Sequence, residues 1–414
     1  MHRIMKRYKY IIGLLLLLIS FMVSAQQELE NYLLIAAENN PGLRAKFNEY
    51  MAALEVAPQV NTLPDPQVAF AYFISPVETR VGPQQFKFSA SQMFPWFGTL
   101  QTKENVANQA AKAKYEVFLE SKSRLFNEAR STYFNIYFNK KAIEITGENL
   151  DILGTFQKLA NIKVEAGKVS AVDEYRIEME IGDLENQLAL LIDKQNVLDV
   201  MFINLLNVDD NMEVQTPAIL WTDDIAIGKE QALDTIRSKN HQLLVLSLQQ
   251  EVLSFRKELA EKQGKPNFSV GFDYIVIGQG SDNLAGTDAF AFPKVGITIP
   301  LYRRKYRAMV NEVVYLQEAK EFELSDKENL LETILENAWK EYLDSDRRIS
   351  LYHVQLNLAN LSLTLLETEY STGNKNFEEI LRMERKFLSY GLELEKARSD
   401  KQAAISFINY LMGN

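Results

Sequence analysis

The sequence predicts an α+β fold, mainly α, in which long antiparallel coiled-coil helical hairpins are combined with four β-strands and the whole arrangement occurs twice. Three observations predict it. An internal repeat relates the two halves of the chain, two proline-free stretches of helical periodicity far exceed an ordinary helix, and four short segments alternate apolar residues with small or polar ones.

The repeat sets the frame. Asn40 with Leu43 recurs as Asn240 with Leu243, and Pro66-Gln-Val-Ala-Phe-Ala-Tyr72 recurs as Pro266-Asn-Phe-Ser-Val-Gly-Phe-Asp-Tyr274, an offset of 200. Further on, Val164 to Asp173 aligns with Tyr370 to Glu379 at an offset of 206, and a few inserted residues account for the drift. A unit of this size occurring twice reads as duplication of one large module, residues 26–227 and 228–414, and not as a solenoid.

In chain order, Arg3, Lys6, Arg7 and Lys9 precede an apolar run from Ile11 to Val23 that ends in Val23-Ser24-Ala25. Residues 1–25 therefore read as a secretory signal peptide. The run is short of the ~20 apolar residues that a spanning helix needs, which disfavours a retained anchor. No second run of that length follows, so any membrane insertion falls to strands.

Helices are expected over about Glu28 to Val56 and Gly228 to Lys262, ahead of the strands of each copy. Between residues 66 and 94, Val68, Phe70, Tyr72, Ile74, Phe86, Phe88 and Ala90 alternate with residues such as Lys87, Ser89 and Ser91. Between 267 and 300, Phe268, Val270, Phe272, Tyr274, Val276, Val295, Ile297 and Ile299 alternate with Ser269, Gly271, Asp273, Gly296 and Thr298. These are four strands of about the ~9 to 11 residues that cross a bilayer at a tilt.

From Thr99 to about Glu165, apolar or small residues step by three and four through Leu125, Ala129, Thr132, Ile136, Asn139, Ile143, Thr146, Leu150 and Leu153. That is coiled-coil spacing, and a helix of this length extends roughly 100 Å at ~1.5 Å per residue. Arg304 to Ser371 repeats it. Each long helix stops at a glycine, Gly167 or Gly373, and a capping pair starts the next, Ser170 with Asp173 or Asn376 with Glu379. The return helices, Ala171 to about Leu206 and Phe377 to Leu411, have half the length of their partners. The preceding helices supply the other half, and the junctions form a belt that includes Pro217 to Asp224.

Composition narrows the function. The chain has 45 basic and 55 acidic residues, and a net charge of −10 argues against a nucleic-acid partner. Without cysteine there is no disulfide, thiolate metal site, cysteine nucleophile or lipid-bearing cysteine. Beyond the leader the only histidines are His241 and His353, each in a helix without an i+4 partner, so neither a zinc site nor an enzyme is expected. Methionines are scattered, and Gly278 and Gly280 lie between strands and not before a helix, so no cofactor or metal is expected.

Four strands cannot close a barrel, and an open strand edge cannot sit in hydrocarbon. Two chains would supply eight strands and three would supply twelve, the latter with a lumen.

The duplicated strand-pair and hairpin layout, the Asn40-Pro41 element, the Gln92 to Gly98 segment (QMFPWFG) and the two glycine-centred tip motifs together resemble the TolC outer-membrane efflux family. The resemblance covers essentially the whole mature chain. It implies a homotrimer with a 12-strand β-barrel in outer-membrane lipid and a 12-helix α-barrel in the periplasm. Its tip would meet a periplasmic adaptor and an inner-membrane transporter such as an RND pump. Leu63-Pro64-Asp65-Pro66 is similar to a segment common in the heavy-metal and cation branch.

The resemblance also suggests site residues. Glu379 matches an acidic position that rings the closed periplasmic mouth in the family, while Arg382 stands where the family has a second acid. An Arg382–Glu379 salt bridge is one expected lock, and a simple capping role for Glu379 is the bland alternative. Gly167, Gly373, Ser170, Asn376 and Asp173, with Lys168 and Val172, complete the tips. Trp96, Phe94 and Phe97 are read as either an interface belt or core. The competing functions are a type I secretion channel for polypeptides, on the same fold, and a periplasmic coiled-coil scaffold, whose strands would lack apolar faces.

Overall fold

A computed structural model describes residues 26–166, 170–209, 212–280, 286–371 and 377–414. The expected signal peptide, Gly167, Gly373 and Asn376 lie outside the described residues. Helix α1 spans 26–39, followed by α2 (Pro41–Leu54) and α3 (Val56–Val60). Strands β1 (Gln67–Tyr72), β2 (Glu78–Thr79) and β3 (Gly82–Phe94) lead into α4 (Thr99–Glu165) and α5 (Ala171–Leu206). The second half runs α6 (Lys229–Lys239), α7 (His241–Gln263), β4 (Asn267–Ile277), β5 (Ala289–Thr298), α8 (Arg303–Ser371) and α9 (Phe377–Leu411).

The chain divides into two compact units that each draw on both halves. One comprises Met1–Ala45, Leu119–Asn240 and Asn329–Asn414, and the other Lys46–Phe118 and His241–Glu328.

The second unit holds the sheet, in the order β1-β3-β4-β5, with the two-residue β2 paired to β3. All pairings are antiparallel. Side chains that oppose one another across strands share a face, so the register decides what each face is made of. One face carries the rows Phe70–Phe88–Tyr274–Phe290, Tyr72–Phe86–Val276 and Gln92–Val270–Val295. The other carries Ala69–Ser89–Asp273–Ala291 and Gln67–Ser91–Gly271–Lys294. The apolar face is bare: Phe70 is 67% exposed, Phe290 64% and Val295 70%.

In the first unit, the α4 residues Leu125, Thr132, Asn139, Thr146, Leu153 and Ala160 are all buried, one every seven positions. This is the seam that the spacing predicts, although Ile143 and Leu150 are only half-buried. Asn139 fixes its register through bonds from Nδ2 to the Leu191 carbonyl at 2.8 Å and the Gln195 side chain at 3.0 Å.

The helices expected as continuous over Glu28 to Val56 and Gly228 to Lys262 are each broken, at Asn40 and at Asn240. The reason is a repeated joint. Asn40 donates from Nδ2 to the Leu205 carbonyl at 3.1 Å and accepts at Oδ1 from the Leu43 N–H, while Asn240 donates to the Leu411 carbonyl at 2.8 Å. Each asparagine thus binds a carbonyl in the last turn of a return helix, α5 or α9, and Asn40 also starts α2. The acceptors, Leu205 and Leu411, are 206 apart, and the donors 200 apart, the offsets of the sequence repeat.

Just past these carbonyls the chain takes positive φ in both copies, 50° at Asn207 and 83° at Gly413. A Cβ on Gly413 would come within 2.5 Å of the Lys239 carbonyl oxygen, so glycine is required there by space as well as by φ. The segment after α5 lies against the same unit. Tyr32 accepts from the Gln215 N–H at 3.1 Å, Tyr137 from the Leu220 N–H at 3.0 Å, and Lys140 donates to the Val214 carbonyl at 2.6 Å.

Candidate functional site: the hairpin ends and the sheet

The hairpin ends belong wholly to the first unit. Their core is apolar and includes Phe156, Ile177, Tyr370, Phe377 and Leu381. Around it, Lys163 of α4 places its ammonium 3.7 Å from the centre of the Tyr370 ring and donates to the Tyr370 carbonyl in the last turn of α8. A cation at the negative end of that helix is a favourable arrangement.

Ser170 caps α5 as expected, but its hydroxyl accepts from the Val172 N–H at 3.3 Å and not from Asp173. Asp173 lies 3.7 Å from the Arg176 guanidinium. The same guanidinium reaches the Glu378 carboxylate of α9 at 3.2 Å, so Arg176 links the opening turns of two hairpins. A second link points the other way, from Arg385 of α9 to the Glu180 carboxylate of α5, at 2.6 Å through Nη2 and 2.8 Å through Nε. Glu180 favours the charged guanidinium and raises the Arg385 pKa further.

Glu379 is half-buried in the first turn of α9 and Arg382 is exposed. Among the described residues, these two form no ion pair with one another. The crossed pairs Arg176–Glu378 and Arg385–Glu180 were not singled out from sequence. The available signal was a basic residue one turn into a return helix, at Arg176, opposite the acid-rich start of the other.

One more acid in this region has no surface role. Glu384 is 3% exposed, and among the described residues neither of its carboxylate oxygens has a hydrogen-bond partner. Burial, with the nearby Glu367 charge, pushes its pKa from 4.5 up to about 7.

The sheet is the other candidate element. Its apolar face ends in an aromatic group, with Trp96 stacked on Phe268 at 6.0 Å and Phe97 6.2 Å from the same ring. Its polar face carries an ion-pair cluster, Asp273 with Lys87 at 3.0 Å and with Lys294 at 3.2 Å.

His241 has a ring nitrogen 2.8 Å from the Glu116 carboxylate. No cluster of three or more potential metal ligands occurs among the described residues, and no described helix is long and apolar enough to cross a membrane.

Together, duplicated hairpins and a four-strand sheet with one bare apolar face define the fold class of outer-membrane channels. Solved structures carry that fold over nearly the full chain. The outer-membrane channel OprN superposes with a TM-score of 0.79 at 16% identity, over 94% of this chain and 90% of that one. The outer membrane protein VceC from Vibrio cholerae gives 0.74 at 14%, over 95% and 98%. The open state of the Neisseria gonorrhoeae MtrE outer membrane channel gives 0.75 at 15%, over 94% and 89%. No family profile matches the sequence, and no curated protein does.

Proposed function

We propose that this chain is one protomer of a trimeric export duct in the bacterial outer membrane, the channel component of a tripartite efflux pump, and not an enzyme. The observation that carries the reading is the sheet. Its apolar face is uncovered, and β1 and β5 end the strand order with unpaired outer edges among the described residues. Lipid satisfies the face, and only neighbouring copies satisfy the edges, because each unpaired backbone group costs several kcal/mol in hydrocarbon.

Three copies give twelve strands and a lumen. The polar face with Lys87, Asp273 and Lys294 would then line that lumen. The helical hairpins would extend into the periplasm, and their ends, with Asp173, Glu379, Arg382 and the glycine turns, would meet a periplasmic adaptor and an inner-membrane transporter. The two arginine–carboxylate pairs between α5 and α9 act in this reading as a latch holding the mouth closed.

The absence of cysteine makes a clean test available. Single cysteines placed along the outer edges of β1 and β5, paired in turn and oxidised, should give a ladder on denaturing gels that ends at three chains. A ladder ending at two, or monomers from every pair, would overturn the assembly. Purified protein should also conduct ions in planar bilayers.

A further inference from the structure

One end of the sheet carries a concentration of positive charge. There β3 ends, β4 begins and β5 ends, with Phe94 opposite Phe268, Phe268 opposite Ile297, and Asn267 opposite Thr298. Just past β5, Arg303, Arg304, Lys305 and Arg307 are all exposed, and Lys265 is exposed two residues before β4. The two segments touch: Arg303 donates from Nη1 to the Gly264 carbonyl at 3.4 Å, and a Cβ on Gly264 would stand 3.4 Å from the Tyr306 Cβ.

No carboxylate answers these cations. The sequence has no acid between Asp288 and Glu312, and among the described residues none of the five forms an ion pair. Four of them also fall in the first two turns of α8, whose first turn holds no acid. The helix dipole is positive at that end and disfavours cations. Charges that repel one another and oppose the dipole break a local rule, and an external anion offsets both terms.

The neighbouring side chains specify the anion. Phe97 is 78% exposed, Leu301 75% and Tyr302 81%, and the row Phe94–Phe268–Ile297 continues this apolar surface onto the bare face of the sheet. Aromatic rings beside basic side chains at the end of an apolar band match the boundary between hydrocarbon and headgroups. A soluble anion would leave the apolar surface in water, whereas a phospholipid covers it with its chains.

We propose that this end of the sheet binds anionic phospholipid of the periplasm-facing leaflet, with the headgroup phosphate among Lys265, Arg304, Lys305 and Arg307 and the acyl chains along Phe268 and Ile297. The inference rests on the sheet entering a membrane, and not on the number of copies.

Trp96, stacked on Phe268, is the reporter. Full-length protein carrying Trp221→Phe and Trp339→Phe retains it as the only tryptophan. In phosphatidylcholine vesicles at low salt, brominated phosphatidylglycerol should quench it with about tenfold or more higher affinity than brominated phosphatidylcholine, at roughly fivefold per engaged cation. Added salt should shrink the preference. Arg304→Gln, Lys305→Gln and Arg307→Gln together should abolish it while leaving the melting temperature unchanged or higher, because the dipole is relieved. Arg304→Lys with Arg307→Lys should retain it. Protein with all three tryptophans, titrated in detergent with either lipid and weighed by native mass spectrometry, should show the same order. Quenching by neither lipid would overturn the membrane reading together with this one. Equal quenching by both, a triple variant that keeps the preference, or no preference in detergent would overturn the lipid site alone.

Discussion

Glu384 offers the sharpest quantitative test. It sits in α9 between the buried Leu381 and Leu388, without a hydrogen bond to either oxygen among the described residues, and it holds its proton up to about pH 7. Unfolded, the same group ionises near 4.5. Below that value both states are protonated and no penalty arises. As the pH rises from about 4.5 to about 7, the folded state binds more protons than the unfolded one, so stability falls with pH. Above about 7 the loss is constant. At about 1.4 kcal/mol per pH step, the full loss approaches about 3 kcal/mol.

Glu384→Gln keeps the shape of the protonated acid and cannot ionise. Amide hydrogen exchange through 377–395 reads local opening free energy without requiring reversible global unfolding. Relative to wild type at the same pH, the variant should protect this segment by about 3 kcal/mol at pH 8 and by less than about 1 kcal/mol at pH 5. Equal protection at both values, or none at pH 8, would refute the claim that burial of this carboxyl destabilises the hairpin end.

Three further outcomes follow from other parts of the molecule. The Arg176→Ser and Arg385→Ser pair removes both links between α5 and α9. Exposed ion pairs contribute under about 1 kcal/mol each, so single-channel recordings should show the open fraction rising by up to about tenfold in the double variant and much less in either single one. Asn240→Ala leaves the Leu411 carbonyl without its side-chain donor and should cost about 1 to 2 kcal/mol in chemical unfolding. Gly413→Ala, strained at φ 83° against the Lys239 carbonyl, should also destabilise. Phe88→Lys on the bare face should impair membrane assembly by about 2 to 4 kcal/mol, whereas Ser89→Lys on the opposite face should assemble normally, as scored by heat-modifiable gel mobility.

The elements that can be read from the chain are those with a strong local cause. Alternation placed the strands, and the bounds of α4, α5 and α9 follow from uninterrupted periodicity ended by glycine or a cap. The breaks at Asn40 and Asn240 were visible only as a repeated residue, because the partner that stabilises each break, a carbonyl of α5 or α9, is supplied by tertiary packing. Arg176 and Arg385 look like ordinary helix-surface charges until α5 and α9 are placed side by side. Glu384 falls on a buried face where helical spacing alone would favour an apolar residue, and nothing in its neighbours in sequence marks it. At the start of α5 the Ser170 hydroxyl accepts from the Val172 N–H, one residue before the Asp173 that the spacing singles out.

The pairing of β3 with β4 has a consequence for how the protein is made. These strands come from opposite halves of the chain, with α4, α5, α6 and α7 between them. A chain emerging in order finishes its first ribbon long before the strand that completes it exists. Such distant pairings form slowly and leave hydrophobic ribbon exposed meanwhile. Until the second copy has emerged, Phe86 and Phe88 lack the β4 neighbours, Val276 and Tyr274, that they face in the finished sheet.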